Sequence, residues 1–147
     1  MLGQIMEDST VGLEIAAYDR KYRQRRKYFR MDCLIPSSFS LMEENESGES
    51  FLEESYDGLI RNLSGGGIGM TTEFEIAEED LIKFTFQLDK EFFELIGEVK
   101  HKTHVYNSFL PYLYGVMFMR LSVRKREEIV SYLHRCQLES LQPLSRA

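Results

Sequence analysis

Tryptophan is absent from this chain, proline occurs three times, cysteine occurs twice, and no long apolar run exists. A membrane-spanning helix needs about 18–20 consecutive apolar residues, so none is expected. The first ten residues, MLGQIMEDST, lack both a basic n-region and an apolar h-region, so the sequence reads as having no signal peptide. Cys33 and Cys136 lie far apart with no metal-ligand spacing. They predict reduced thiols in a cytoplasmic protein, with a disulfide as the alternative. Positive charge is also short, with 18 Lys and Arg against 24 Asp and Glu and a net charge of −6. That balance argues against general DNA or RNA binding, because phosphates would be repelled by most of the surface. It leaves room for a local anion site, since a fixed cluster acts over about 8–10 Å. Ten Phe and eight Tyr remain to fill a core, enough for one domain with some tail in 147 residues.

The scarce positive charge is not spread evenly. RKYRQRRKYFR, residues 20–30, holds seven of the 18 basic residues, leaving eleven against all 24 acids elsewhere, a balance of −13. Arg26 and Arg30 are four apart, which puts them on one face of either a helix or a strand. The guanidinium fork suits phosphate oxygens or the O6/N7 edge of guanine, and its flat face stacks on rings. The plainer reading is a solvated basic segment, or one resting on acidic surface elsewhere.

Residues 1–22 carry no sustained pattern and predict a flexible N-terminal arm; residues 23–141 predict the domain, and 142–147 a tail. YFRMDCLIPSSFSLM reads as an extended strand whose Pro36 confines its middle to a sheet edge or a bulge. The stretch 43–57 has seven acidic residues and no base, and predicts a solvated loop. Two short strands flank Gly65–Gly67. Ile82, Phe84, Phe86 and Leu88 alternate with polar residues; Asp89 and Lys90 supply a turn, and Phe93, Leu95, Gly97 and Val99 return. Tyr114, Val116, Phe118 and Arg120 mark one face of a later strand. The period then changes: Ile129, Tyr132, Leu133 and Cys136 define an amphipathic helix with Ser122 as its N-cap. Five or six antiparallel strands and one helix predict an all-β fold, a small closed barrel capped by a C-terminal α-helix.

RNLSGGGIGM, residues 61–70, adds a second feature. Asn62 and Ser64 share a face at a strand end, and Gly65, Gly66 and Gly67 follow. Three glycines permit positive φ and close approach of a ligand to the backbone, and successive N–H groups can form an anion nest. Asn62 can bond a base edge, and Ser64 can donate or accept. A plain glycine-rich hairpin turn is the ordinary alternative. The loop is neither a Walker loop nor a GxGxxG opening a helix.

RxxxR (Arg26 to Arg30), followed about thirty residues later by NxSxxG (Asn62 to Gly67), then β-rich sequence, a late GVMF strand and a terminal helix, resembles the PilZ domain family. The resemblance runs over roughly residues 23–138. It implies a six-stranded antiparallel barrel that binds the bacterial second messenger cyclic di-GMP. It also implies that Arg26 and Arg30 hold guanine and phosphate while Asn62, Ser64 and Gly67 surround a guanine. Arg23, Arg25, Gly65 and Gly66 are additional candidates. At position 62 the family also uses Asp, whose carboxylate accepts from both guanine N1–H and N2–H; Asn offers a single carbonyl acceptor.

Catalytic and metal sites find no support. His101 and His104 are three apart, hence on opposite strand faces, and His134 reads as a surface residue. No enzyme and no cofactor are expected. The sequence predicts a cytoplasmic, non-catalytic receptor that moves its basic arm on binding cyclic di-GMP and so signals to a protein partner of unknown identity. A PilZ-like interaction module without the nucleotide, and a small RNA-binding barrel using the arm electrostatically, are the other readings.

Overall fold

A computed structural model describes residues 28–45 and 48–140. Strand periodicity sets its framework. The strands are β1 (Arg30–Asn45), β2 (Gly48–Phe51), β3 (Tyr56–Ser64), β4 (Gly67–Thr72), β5 (Leu81–Leu88), β6 (Glu91–His104) and β7 (Tyr112–Met119), followed by helix α1 (Val123–Ser140). All pairings are antiparallel, in the order β1-β3-β4-β7-β6-β5. Strand β1 closes this ring because it is long enough to serve two neighbours. Its first part pairs with β3 from Arg30 to Phe39, and residues 38–41 pair with β5. The product is the six-stranded antiparallel barrel with a C-terminal helix expected from the sequence, its sheet edges removed by closure.

The alternation in β5 and β6 is met residue for residue. Ile82, Phe84, Phe86 and Leu88 of β5 and Phe93, Leu95 and Val99 of β6 point into the core. Phe86 and Phe93, directly paired across the two strands, stack with centroids 5.2 Å apart. Asp89 makes the connecting turn at φ 55°, a conformation that Asp tolerates. Tyr114 fills the opposite region with its ring fully buried. Its hydroxyl accepts from the Ile76 amide at 2.6 Å and donates to the Phe74 carbonyl at 3.0 Å, which ties the 73–80 connection to the barrel.

Helix α1 begins where Ser122 caps it: the Ser122 Oγ accepts from the Lys125 amide at 3.1 Å. Ile129 and Leu133 are buried, and Tyr132 and Cys136 are half-buried beside them, as the helical spacing predicts. No helix among the described residues is long and apolar enough to cross a membrane.

Three expectations need correction. Residues 43–57 are not simply a solvated loop: β1 continues to Asn45 and turns back as β2, with Met42 opposite Phe51. One acid of the stretch is paired from a distance, because Arg120 donates to Glu49 at 3.0 Å, and Lys83 lies over the Phe51 ring at 5.3 Å. Arg120, moreover, does not continue the inward face of β7. It stands past the strand end at φ 57°, which swings it outward to Glu49. The turn between β3 and β4 uses Gly65 and Gly66 only, since Gly67 already pairs with Met117 as the first residue of β4.

Candidate functional site

The basic segment enters the barrel at the glycine turn. Arg30, the first residue of β1, is the cross-strand partner of Ser64, the last residue of β3. Two positions further on, Asp32 lies opposite Asn62. Arg30 is exposed and Asn62 half-exposed, so both are available on the outer surface. Register explains how Asn62 faces outward although its strand alternates. Between Ile60 and Asn62 the β3–β4 ladder slips, leaving Arg61 as an extra residue, and β1 is irregular opposite the same point, between Asp32 and Ile35. Such a bulge re-aims side chains. Ile60 and Leu63 are therefore both buried while Arg61 and Asn62 face out. The β1 irregularity also accommodates Pro36 just beyond it, before the pairing with β5 begins at Ser38.

The glycines work through space rather than through unusual dihedrals. Gly65, Gly66 and Gly67 all lack positive φ; among the described glycines only Gly48 has it. A Cβ on Gly67 would stand 2.1 Å from the Val116 carbonyl oxygen, so the third glycine allows β4 to close on β7. The expected anion nest is also turned inward. Ser64 Oγ accepts from the Gly66 amide at 3.1 Å and from the Gly67 amide at 3.2 Å, and lies 3.3 Å from the Gly67 carbonyl as donor. Ser64 thus shapes the turn and uses the donors that a nest would offer to an anion.

Two residues that the sequence reading passed over complete the surface. Gly69 lies opposite Asn62, and the three atoms nearest to a Cβ placed there are Asn62 Nδ2, Cγ and Oδ1, at 2.3, 2.9 and 3.0 Å. The Asn62 carboxamide lies across the bare backbone of Gly69. Strand partners then continue through Gly115 to His101, whose ring is 3.3 Å from the Cβ position of Gly115. A row of Asp32, Asn62, Gly69, Gly115 and His101 results, with its two central positions free of side chains. Alternation in the GIGM and YGVM segments carried this signal: a glycine inside a strand marks a place where another group can approach the backbone closely.

Tyr28 is the second. A Cβ on Gly65 would meet its ring at 2.8 Å and Val130 of α1 at 2.8 Å, and one on Gly66 would meet the ring at 3.3 Å. The Tyr28 hydroxyl accepts from Arg126 Nη1 of α1 at 2.7 Å. Arg23, Arg25 and Arg26, and the proposed arm 1–22, lie outside the described residues, as does the tail 142–147.

Cys33 is in the β1 irregularity, with its thiol donating weakly to the Ile60 carbonyl at 3.8 Å. Burial pushes that thiol up to about 11, helped by the Asp32 carboxylate and by Cys136 on α1, so the thiolate is disfavoured. Both cysteines are free. Among the described residues no three His, Cys, Asp or Glu side chains gather as a metal site.

This arrangement matches a known family. The family model of the PilZ domain matches residues 24–135, and the chain belongs to the PilZ domain family. Solved structures with the same fold include the Bacillus subtilis inhibitor of motility MotI/DgrA, at 18% identity and TM-score 0.63, covering 79% of this chain and 52% of that one. The PilZ domain of YcgR from Escherichia coli with c-di-GMP follows at 15% identity and TM-score 0.55, covering 80% and 97%. The K. pneumonia MrkH–c-di-GMP complex has 20% identity and TM-score 0.58, covering 80% and 54%. This chain therefore spans about half the length of MotI/DgrA and MrkH, and nearly all of the isolated YcgR domain. No curated protein matches it by sequence.

Proposed function

We propose that this chain is a cyclic di-GMP receptor. The observation that carries the reading is the cross-strand pairing of Arg30 with Ser64, which brings the end of RxxxR beside NxSxxG although the two residues are 34 positions apart in the sequence (64 − 30). Family membership and the c-di-GMP complexes of YcgR and MrkH support the choice of ligand.

In this reading a guanine lies on the outer row, its edge bonded to the Asn62 carboxamide that rests on Gly69. Arg30 supplies a charge-assisted fork to a phosphate or to the guanine O6/N7 edge. Arg26 closes from the arm, with Arg23 and Arg25 as further cations. Ser64, Gly65, Gly66 and Gly67 act by shape: they hold the turn at which Arg30 enters two positions from Asn62 in the β1–β3 register. The arm cannot order itself on apolar contacts, so the ligand must offset its entropy. Arm closure then presents a changed surface to a protein partner, without catalysis, in the cytoplasm.

Isothermal titration of the full chain with cyclic di-GMP at near-physiological salt tests this. Saturable heat with one or two ligands per chain is expected. No heat at high micromolar ligand would reject the receptor reading and leave a PilZ domain that works through protein contacts alone.

A further inference from the structure

Tyr28 stands midway between the two arginines of RxxxR, and its contacts among the described residues reach the glycine turn and α1. Its ring fills the space above Gly65 and leans on Gly66. Its hydroxyl takes the Arg126 hydrogen bond at 2.7 Å, and the Arg126 guanidinium carbon lies 5.4 Å from the ring centroid. Val130, one turn further along α1, stands 2.8 Å from where a Cβ on Gly65 would be, closing the same space from the helix side. Arm, glycine turn and helix therefore converge on one phenol.

We propose that Tyr28 and Arg126 form a latch that positions the arginine pair for the ligand and makes α1 part of the binding response; this rests on the cyclic di-GMP reading above. The direction of the effect follows from what the ring covers. It touches Gly65 and Gly66, whereas the nearest neighbours of Gly67 are Val116 and Met117 and those of Gly69 belong to Asn62. Docking of Tyr28 thus leaves the Asn62 side chain and its Gly69 neighbour uncovered by the phenol, and holds the backbone two residues before Arg30, about 7 Å of extended chain. A segment already held in place loses less freedom when its arginines engage a ligand. The latch helps binding rather than blocking it. Arg126 is a positioning residue that touches the arm and not the ligand.

Titration of Arg126→Met, Tyr28→Phe, the double variant and Arg124→Met against the parent tests the proposal. Arg124 is the control: it has the same charge on the same helical turn, its side chain is 89% exposed, and it pairs with Glu128 on its own helix. Arg126→Met and Tyr28→Phe should each weaken cyclic di-GMP binding about fivefold, by a loosened arm. The double variant should be no weaker than the weaker single variant, because the two residues act as one unit. Arg126→Lys should recover part of the loss, and Arg124→Met should bind as the parent does. Equal affinities for Arg126→Met and parent, or equal losses in Arg126→Met and Arg124→Met, overturn the latch. Should the parent itself take up no ligand, the receptor reading fails instead. The latch is then judged by amide exchange at Phe29 and Arg30 in the free protein, faster in Arg126→Met than in Arg124→Met if it holds and equal in the two if it does not.

Discussion

Gly69→Ala separates binding from folding at a single position. A Cβ added there would stand 2.3 Å from Asn62 Nδ2, far inside contact distance, yet all three nearest atoms belong to the Asn62 side chain. That carboxamide is half-exposed and can rotate away, so the strand need not move. Gly69 also lacks positive φ, so Ala fits the backbone. Restricting the unfolded chain should then return about 0.4–1 kcal/mol, offsetting the local crowding and leaving stability within about 1 kcal/mol of the parent. The displaced Asn62 would lose its hold on a guanine edge. One neutral hydrogen bond is worth about 0.5–1.5 kcal/mol, hence a roughly three- to tenfold loss of cyclic di-GMP affinity. Asn62→Ala should cost the same, and the double variant no more, since both remove one interaction. Gly67→Ala provides the contrast. Its Cβ would be 2.1 Å from the Val116 carbonyl oxygen, a backbone atom of the neighbouring strand, and forcing β4 from β7 should cost about 3 kcal/mol. Thermal melts and titration calorimetry on the four variants suffice. If Gly69→Ala melts as low as Gly67→Ala, or binds normally while Asn62→Ala does not, the assignment of Asn62 to that surface is wrong.

Arg30→Ala should keep the fold, because the side chain is exposed at the strand end, and should lose about ten- to a hundredfold in affinity for the charged hydrogen bond removed; calorimetry reads both. Tyr114→Phe should leave the buried Ile76 amide without its acceptor, at a cost of about 1–3 kcal/mol and a melting point about 5–10 °C lower by calorimetric scan. Cys33 brings a pH dependence. Its folded value, about 11, lies above the ordinary 9.0, so the native state keeps a proton that the unfolded chain releases. That contribution is complete below pH 9 and is lost as pH rises through about 11. Between pH 8 and pH 10.5 the guanidinium midpoint of the parent should fall more than that of Cys33→Ala; parallel curves would show that the thiol is not what titrates.

Much of this protein was legible in one dimension because its strands are buried on one face. Ile82, Phe84, Phe86 and Leu88 must alternate whatever they pack against, and Ile129 and Leu133 must recur at helical spacing. The Arg26–Arg30 and Asn62–Gly67 motifs were legible too, as residue types at fixed offsets, and with them the family. The acidic stretch was misread because charge content says nothing about strand pairing or about a partner far along the chain: β1 turns back as β2 there, and Glu49 meets Arg120, 71 residues on. The glycines show the same limit. Sequence names Gly65, Gly67 and Gly69 alike, but one yields space to Tyr28 and Val130, one to a backbone carbonyl and one to Asn62. Periodicity and composition set which apolar residues turn inward, since burial of apolar surface is a local, repeating demand. Which residues meet, Arg30 beside Ser64, Asn62 on Gly69, Tyr28 under Arg126, was decided only when bulges and barrel closure set the register, because register is a property of paired strands and not of either strand alone.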